Sequence, residues 1–182
     1  MSLTLPLDEV TDWPHETETI ITIQIGASLK VSLSCTNQGS CDCSIGGALH
    51  SYLAISNIQD ITITGLDQTP YLDTVTHQEH SQIGALSIQQ ECDNIYYNTE
   101  GPICLHDPTL KRDIIVEKSG SLSTVVWNPW IEKSSGMKDL DSDDYLHFVC
   151  IEAANAQMDT RLLKPGQSHT LSTTITARPH SL

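Results

Sequence analysis

Apolar and polar residues alternate with a period of two along much of this chain. Residues 20–25 read I-I-T-I-Q-I, and after a turn at Gly26 residues 29–33 read L-K-V-S-L. Successive side chains of a strand point to opposite faces, so this spacing predicts half-buried strands. The same reading predicts strands at 49–55, 61–66, 83–89, 95–97, 113–117, 123–127, 146–152 and 169–177. Turn-forming clusters separate them, among them Asp67-Gln68-Thr69-Pro70, Lys118-Ser119-Gly120 and Lys164-Pro165-Gly166-Gln167. No stretch shows a convincing helical period, and the acidic segment 138–144 reads as a solvated loop with one helical turn at most. About ten short strands punctuated by turns predict an all-β sandwich or barrel. With no internal repeat and no linker, residues 1–182 form one expected domain, from which the atypical segment 1–12 stands apart.

Composition narrows the function classes. Nine Lys and Arg against 23 Asp and Glu give a formal net charge of −14. Nucleic-acid binders cluster cations on one face, and here the densest basic pair is Lys111-Arg112, so no nucleic-acid partner is expected. No apolar run approaches the ~18 residues of a membrane span, and residues 1–7 lack the features of a signal peptide. The expected location is the cytoplasm, with no membrane partner. Of six cysteines, Cys35, Cys41 and Cys43 are spaced closely enough to raise the question of zinc. The scatter of Cys92, Cys104 and Cys150 and the absence of any C-x-x-C favour free thiols instead.

Three features stand out as chemistry. His50 enters a predicted strand beside Gly46-Gly47, in Ala48-Leu49-His50-Ser51-Tyr52. Glu152 is a carboxylate inside the apolar run Phe148-Val149-Cys150-Ile151-Glu152-Ala153-Ala154. Burying a carboxylate is costly unless it is paired or used, and desolvation raises its pKa toward that of a working base. Trp127-Asn128-Pro129-Trp130 sets two aromatics of the kind that wall sugar rings around Asn-Pro, although both also suit a core.

These segments resemble, in order, the aldose 1-epimerase family, in its branch acting on hexose 6-phosphates. Ala48-Leu49-His50-Ser51-Tyr52, then Gly65-Leu66 and Tyr71-Leu72-Asp73, look like its "ALHTYF … GL … Y-x-D" signature. Glu91-Cys92-Asp93-Asn94-Ile95-Tyr96 looks like "E-T-D-R-x-Y", and residues 125–133 are similar to "VVWNPW-I-x-K". Residues 149–155 and Leu163-Lys164-Pro165-Gly166 resemble the last "C-V-E" strand and the "L-x-PG" turn, and Trp13-Pro14-His15 resembles a "WPH" entry strand.

The resemblance implies a galactose-mutarotase-like β-supersandwich that interconverts sugar anomers with no metal or organic cofactor. The family's catalytic histidine and glutamate fall on His50 and Glu152, and its hydroxyl-binding aspartate on Asp93. Tyr52 and Trp127 are the expected aromatic substrate contacts. Two departures qualify this. The "E-T-D-R" arginine is Asn94 here, which removes an expected cation near the sugar. The resemblance also begins in mid-domain, so the first strands are expected to be lacking, with phosphate binding left to cations such as Lys111, Arg112, Lys133, Arg161 or Arg178. An unpaired edge near residues 20–33 is then expected to recruit a second copy as a homodimer. Three functions follow: a hexose-6-phosphate mutarotase impaired by the shortened sandwich, a non-catalytic carbohydrate-binding module, or a scaffold that pairs through its sheet edge.

Overall fold

A computed structural model of the chain describes residues 2–4 and 13–180. Sixteen strands run through these residues: β1 (Ser2–Thr4), β2 (Thr17–Ile25), β3 (Leu29–Asn37), β4 (Cys43–Ile45), β5 (Gly47–Leu49), β6 (Tyr52–Ala54), β7 (Thr62–Thr64), β8 (Pro70–Asp73), β9 (Gln78–Ser81), β10 (Cys92–Tyr96), β11 (Ile103–Asp107), β12 (Arg112–Ser119), β13 (Ser123–Asn128), β14 (Phe148–Asn155), β15 (Arg161–Leu163) and β16 (Ser168–Pro179). One sheet has the order β1-β2-β3-β16-β12-β11-β7. The other has the order β5-β14-β13-β10-β8-β9, with β6 also pairing β14, and β4 and β15 form a separate ribbon. All pairings are antiparallel.

Period-two alternation builds the core between the sheets. Ile63, Leu105, Ile114 and Val116 of the first sheet meet Leu53, Val126, Val149 and Ile151 of the second. On the opposite face of the second sheet, Trp127, Phe148 and Cys150 form a smaller cluster, joined by Val125, Met137 and Leu140. Strand β14 is therefore covered on both faces, and all eight of its residues are buried. At Gly120 the chain turns so tightly, at φ +73°, that a Cβ would fall 2.0 Å from the Thr170 carbonyl oxygen.

The structure corrects several sequence expectations. Residues 83–89 form no strand; Gly84 at φ +68° breaks the extension, and only Leu86 bridges, to Ile63 of β7. The strand expected at 49–55 splits into β5 and β6 on either side of His50-Ser51. Trp13-Pro14-His15 is irregular, and β2 begins only at Thr17. A short helix, α1 (Trp130–Gly136), follows the tryptophan block. A 3-10 turn (Asp144–His147) precedes β14, so that strand starts at Phe148 rather than 146. The edge expected to lie open at 20–33 is occupied by the chain itself, since β1 pairs with Ile20–Thr22 and β3 lies between β2 and β16. Most of the segment 1–12 lies outside the described residues.

Asn128 explains why the tryptophan block is built as it is. Its fully buried amide donates to the Tyr145 and Phe148 carbonyls at 2.8 and 2.9 Å, and its Oδ1 accepts from the Trp130 N–H. It thereby caps the start of α1 and fixes where β14 begins. Each carbonyl orphaned by removing a buried donor costs about 1–3 kcal/mol. Asn128→Ala should therefore lower stability by roughly 2–4 kcal/mol, read as a shift in the denaturation midpoint. Asn128→Asp, which loses the donors but keeps the size, should do at least as much harm.

Candidate active site

The ladder between β14 and the preceding segment sets the geometry. Leu49 pairs with Ala153, and Tyr52 pairs with Cys150. The register is the same on both sides of the interruption, so His50 falls opposite Glu152 on the neighbouring chain segment. Their side chains meet: His50 Nε2 lies 3.2 Å from Glu152 Oε1, the imidazole 45 % exposed and the carboxylate only 4 %. Alternation along β14 places Glu152 on the face of Phe148 and Cys150, while Ile151 turns into the core between the sheets.

The same cross-strand logic gathers the aromatics. Asp93 of β10 pairs with Trp127 of β13, Trp127 with Cys150, and Cys150 with Tyr52, which forms one row across the sheet. The His50 ring stacks on Tyr52 with centroids 4.9 Å apart and meets the edge of Trp127 at 5.4 Å. Phe148 packs beneath both Tyr52 and Trp127. All five sequence candidates, His50, Tyr52, Asp93, Trp127 and Glu152, thus share one face of the second sheet. Trp130 does not; it packs on Tyr145 and against the core. Asn94 also points away, between Cys92 and Tyr96 and with its amide on the Tyr96 hydroxyl, so the missing arginine position does not border His50. A cavity of about 280 Å³ beside it, lined by Tyr71, Asp73, Ile88, Gln90 and Asn94, lies away from the His50–Glu152 face.

Electrostatics follow from burial. Desolvation, reinforced by the negative charge of Asp93, pushes the Glu152 carboxyl up to about 7. Partial burial moves His50 the other way, below its ordinary value, against weaker opposing effects from a backbone hydrogen bond and Asp93. The pair is therefore poised to carry one proton near neutral pH. The Cys150 thiol, raised by burial and by Glu152, stays protonated beside it. Ligand atoms of His50, Cys150 and Glu152 lie within 4.8 Å of one another and could hold a metal ion. The Cys35, Cys41 and Cys43 sulfurs form no such group among the described residues, where all six cysteines are free thiols. Of the cations considered for phosphate, Lys133 binds Glu91, Arg161 binds Asp159, Arg178 lies by Asp113, and Arg112 donates to the Ala54 carbonyl.

The raised Glu152 pKa makes a stability prediction. Between the ordinary glutamate value of 4.5 and about 7, the folded state holds a proton that the unfolded chain has released. Stability contributed by this group is complete below the lower value and falls as pH rises through the window. One unit is worth about 1.4 kcal/mol, so the loss over this window amounts to roughly 3–4 kcal/mol. Glu152→Gln should remove that loss, so the stability difference between variant and wild type should grow from pH 4.5 to 7.5 in denaturant titrations.

Comparison with known proteins places this geometry. A family model described as aldose 1-epimerase matches residues 1–176. A protein of Cenchrus ciliaris, provisionally named glucose-6-phosphate 1-epimerase, is 30 % identical over 175 residues, covering 93 % of this chain and 53 % of its own length. A Salmonella typhimurium protein of the same provisional name is 29 % identical over 146 residues, covering 79 % of this chain and 48 % of its own length. The crystal structure of a provisionally assigned mutarotase from Salmonella typhimurium superposes with a TM-score of 0.87 at 25 % identity, over 98 % of this chain and 59 % of the other. The chain thus spans about half the length of the curated relatives it matches. On the family match along nearly its whole length, this chain belongs to the aldose 1-epimerase family.

Proposed function

We propose that this chain interconverts the α and β anomers of an aldose, a hexose 6-phosphate being the substrate class, with Glu152 and His50 as its proton-transferring pair. The observation that carries the reading is the 3.2 Å approach of His50 Nε2 to a buried Glu152 carboxylate on adjacent chain segments. Anomer exchange requires the C1 hydroxyl to lose a proton while the ring oxygen gains one. The ring then opens to the aldehyde, the C1–C2 bond turns, and the ring closes on the other face.

In this reading Glu152 takes the proton from the C1 hydroxyl and protonated His50 gives one to the ring oxygen. Ring closure reverses both transfers, so each group must be able to hold the proton in turn. Burial supplies that equality by raising the carboxyl to about 7 and lowering the imidazole. Asp93, half-buried in the row beside Trp127, is placed to accept hydrogen bonds from ring hydroxyls. Exposed Tyr52 offers aromatic surface to the apolar side of a pyranose, with buried Trp127 packed behind it. The preference for a 6-phosphate rests on the relatives' names, since Lys133, Arg161, Arg178 and Arg112 are engaged by other groups.

Exchange spectroscopy by NMR on glucose 6-phosphate and on glucose should show anomer exchange above the uncatalysed rate. Glu152→Gln and His50→Asn should each slow it by about 10²–10⁴, the usual share of one positioned proton transfer. Unchanged rates in both variants would move the chemistry elsewhere, and sugar binding without exchange in the wild type would leave a binding module. The rate should be bell-shaped in pH, with its alkaline limb near the Glu152 value of about 7. Its acid limb marks a second proton entering the pair, and its alkaline limb marks loss of the last one. Asp93→Asn removes a charge that raises both groups, so the whole bell should move to lower pH.

A further inference from the structure

On the opposite side of the sandwich, the outer face of the first sheet carries a second cluster of titratable groups that the sugar chemistry does not use. Along β11, Ile103 and Leu105 point into the core, so Cys104 and His106 project outward. The register sets Asp113 of β12 directly across from His106, with Arg178 of β16 on its other side. Beyond β16 the chain continues to His180, whose backbone N–H is fixed on the Lys111 carbonyl at 2.9 Å.

Four side chains converge there. His106 Nδ1 lies 2.9 Å and His180 Nδ1 2.6 Å from the same oxygen, Oδ1 of Asp113. Cys104 Sγ lies 3.8 Å from His106 Nδ1. The ligand atoms of Cys104, His106 and Asp113 all fall within 4.8 Å of one another, and the Asp113 side chain is only 5 % exposed. We propose that Cys104, His106 and Asp113 form the binding site for a zinc-class divalent cation, with His180, on the same Asp113 oxygen, swinging in as the fourth ligand and so clipping the segment after β16 onto β11 and β12.

The chemistry of the donor set selects the ion. Two imidazoles, a thiolate and a carboxylate suit zinc better than the hard oxygen-seeking cations. Tetrahedral zinc, with bonds of about 2.0–2.3 Å, separates its ligand atoms by about 3.3–3.6 Å. The separations of 2.6, 2.9 and 3.8 Å lie on either side of that range, and the His180 nitrogen, outside the 4.8 Å group, moves in to close the tetrahedron. The two His–Asp contacts widen by about half an ångström when one cation replaces the two N–H protons between them. His106 is also held from behind, its Nε2 lying 2.9 Å from the Thr64 hydroxyl, as a metal-ligating imidazole generally is. Thiolate and carboxylate together neutralise the dication. Arg178 approaches only the other oxygen, Oδ2, at 4.0 Å and is 57 % exposed, so Oδ1 stays available. Burial and Asp113 hold the free thiol protonated, so binding must release its proton and should strengthen as pH rises.

Cobalt substitution tests this on the intact chain, stripped with chelator and then titrated with Co²⁺ followed by Zn²⁺. One equivalent of Co²⁺ should produce a thiolate charge-transfer band and the intense visible bands of a tetrahedral site, both abolished by Zn²⁺. Cys104→Ser should remove the charge-transfer band, and Thr64→Val should weaken binding about tenfold by freeing the imidazole. His180→Gln should abolish the rise in melting temperature that Zn²⁺ gives the wild type. His50→Asn, on the opposite face, should bind as the wild type does. No band at one equivalent overturns the site, as does a band that survives Cys104→Ser or disappears with His50→Asn. If the His180 variant fails to fold, the near-isosteric Cys104 substitution still decides the matter.

Discussion

The proposed chemistry of this chain hangs on one buried carboxylate. Glu152 sits in a strand whose other residues are apolar or small, and both faces of that strand are covered. A shift of one residue in the β14 register would turn Glu152 into the core and bring Ile151 outward. The apolar residues flanking Glu152 therefore lock the position of the group whose burial they make expensive. The small outer cluster of Trp127, Phe148 and Cys150 completes the effect by keeping water off the carboxylate on the side away from the core. Fold and reactivity are set by the same packing.

The interruption of the ladder at His50-Ser51 is the complement of that constraint. A continuous strand would have pinned His50 into a uniform pleat, whereas two three-residue pieces, β5 and β6, keep the register and leave the imidazole reaching over its partner. The aromatic rings then hold it from the side, Tyr52 stacked and Trp127 edge-on. Among the described residues no Lys or Arg pairs with Glu152, which keeps the raised pKa that burial imposes, and His50 is its ion-pair partner.

What was legible in the sequence followed from periodicity and from side-chain incongruity. Strands β2, β3, β12, β13 and β16 could be read because their alternation is long. Strands β4, β8, β9, β11 and β15 went unread: three to five residues are too few to establish a period, and β9 is polar throughout. Helix α1 escaped for the same reason, although Pro129 at its start and Glu132 in its first turn are recognisable signals. The His50–Glu152 contact was signalled by residue type rather than by periodicity, because a carboxylate within an apolar run violates a burial rule in one dimension. The His106–Asp113 cluster was invisible by contrast. Its members lie on exposed-looking alternating positions, and only the register of β11, β12 and β16 brings them together.

The two histidine–carboxylate contacts show how little residue type alone decides. Glu152 meets one imidazole, is crowded by the charge of Asp93, and rises to about 7. Asp113 is equally buried, yet two imidazoles point a nitrogen at one of its oxygens, and these hydrogen bonds hold its carboxyl well below the usual range. A carboxylate kept so firmly ionised is a poor proton acceptor but a good ligand, because it offers a permanent negative charge at a fixed point. A carboxylate that loses its proton only near neutrality can hand that proton back and forth within a catalytic cycle. Placed on opposite outer faces of one sandwich, the same pair of residue types is thereby held in two different states, a raised carboxyl on one face and a lowered one on the other.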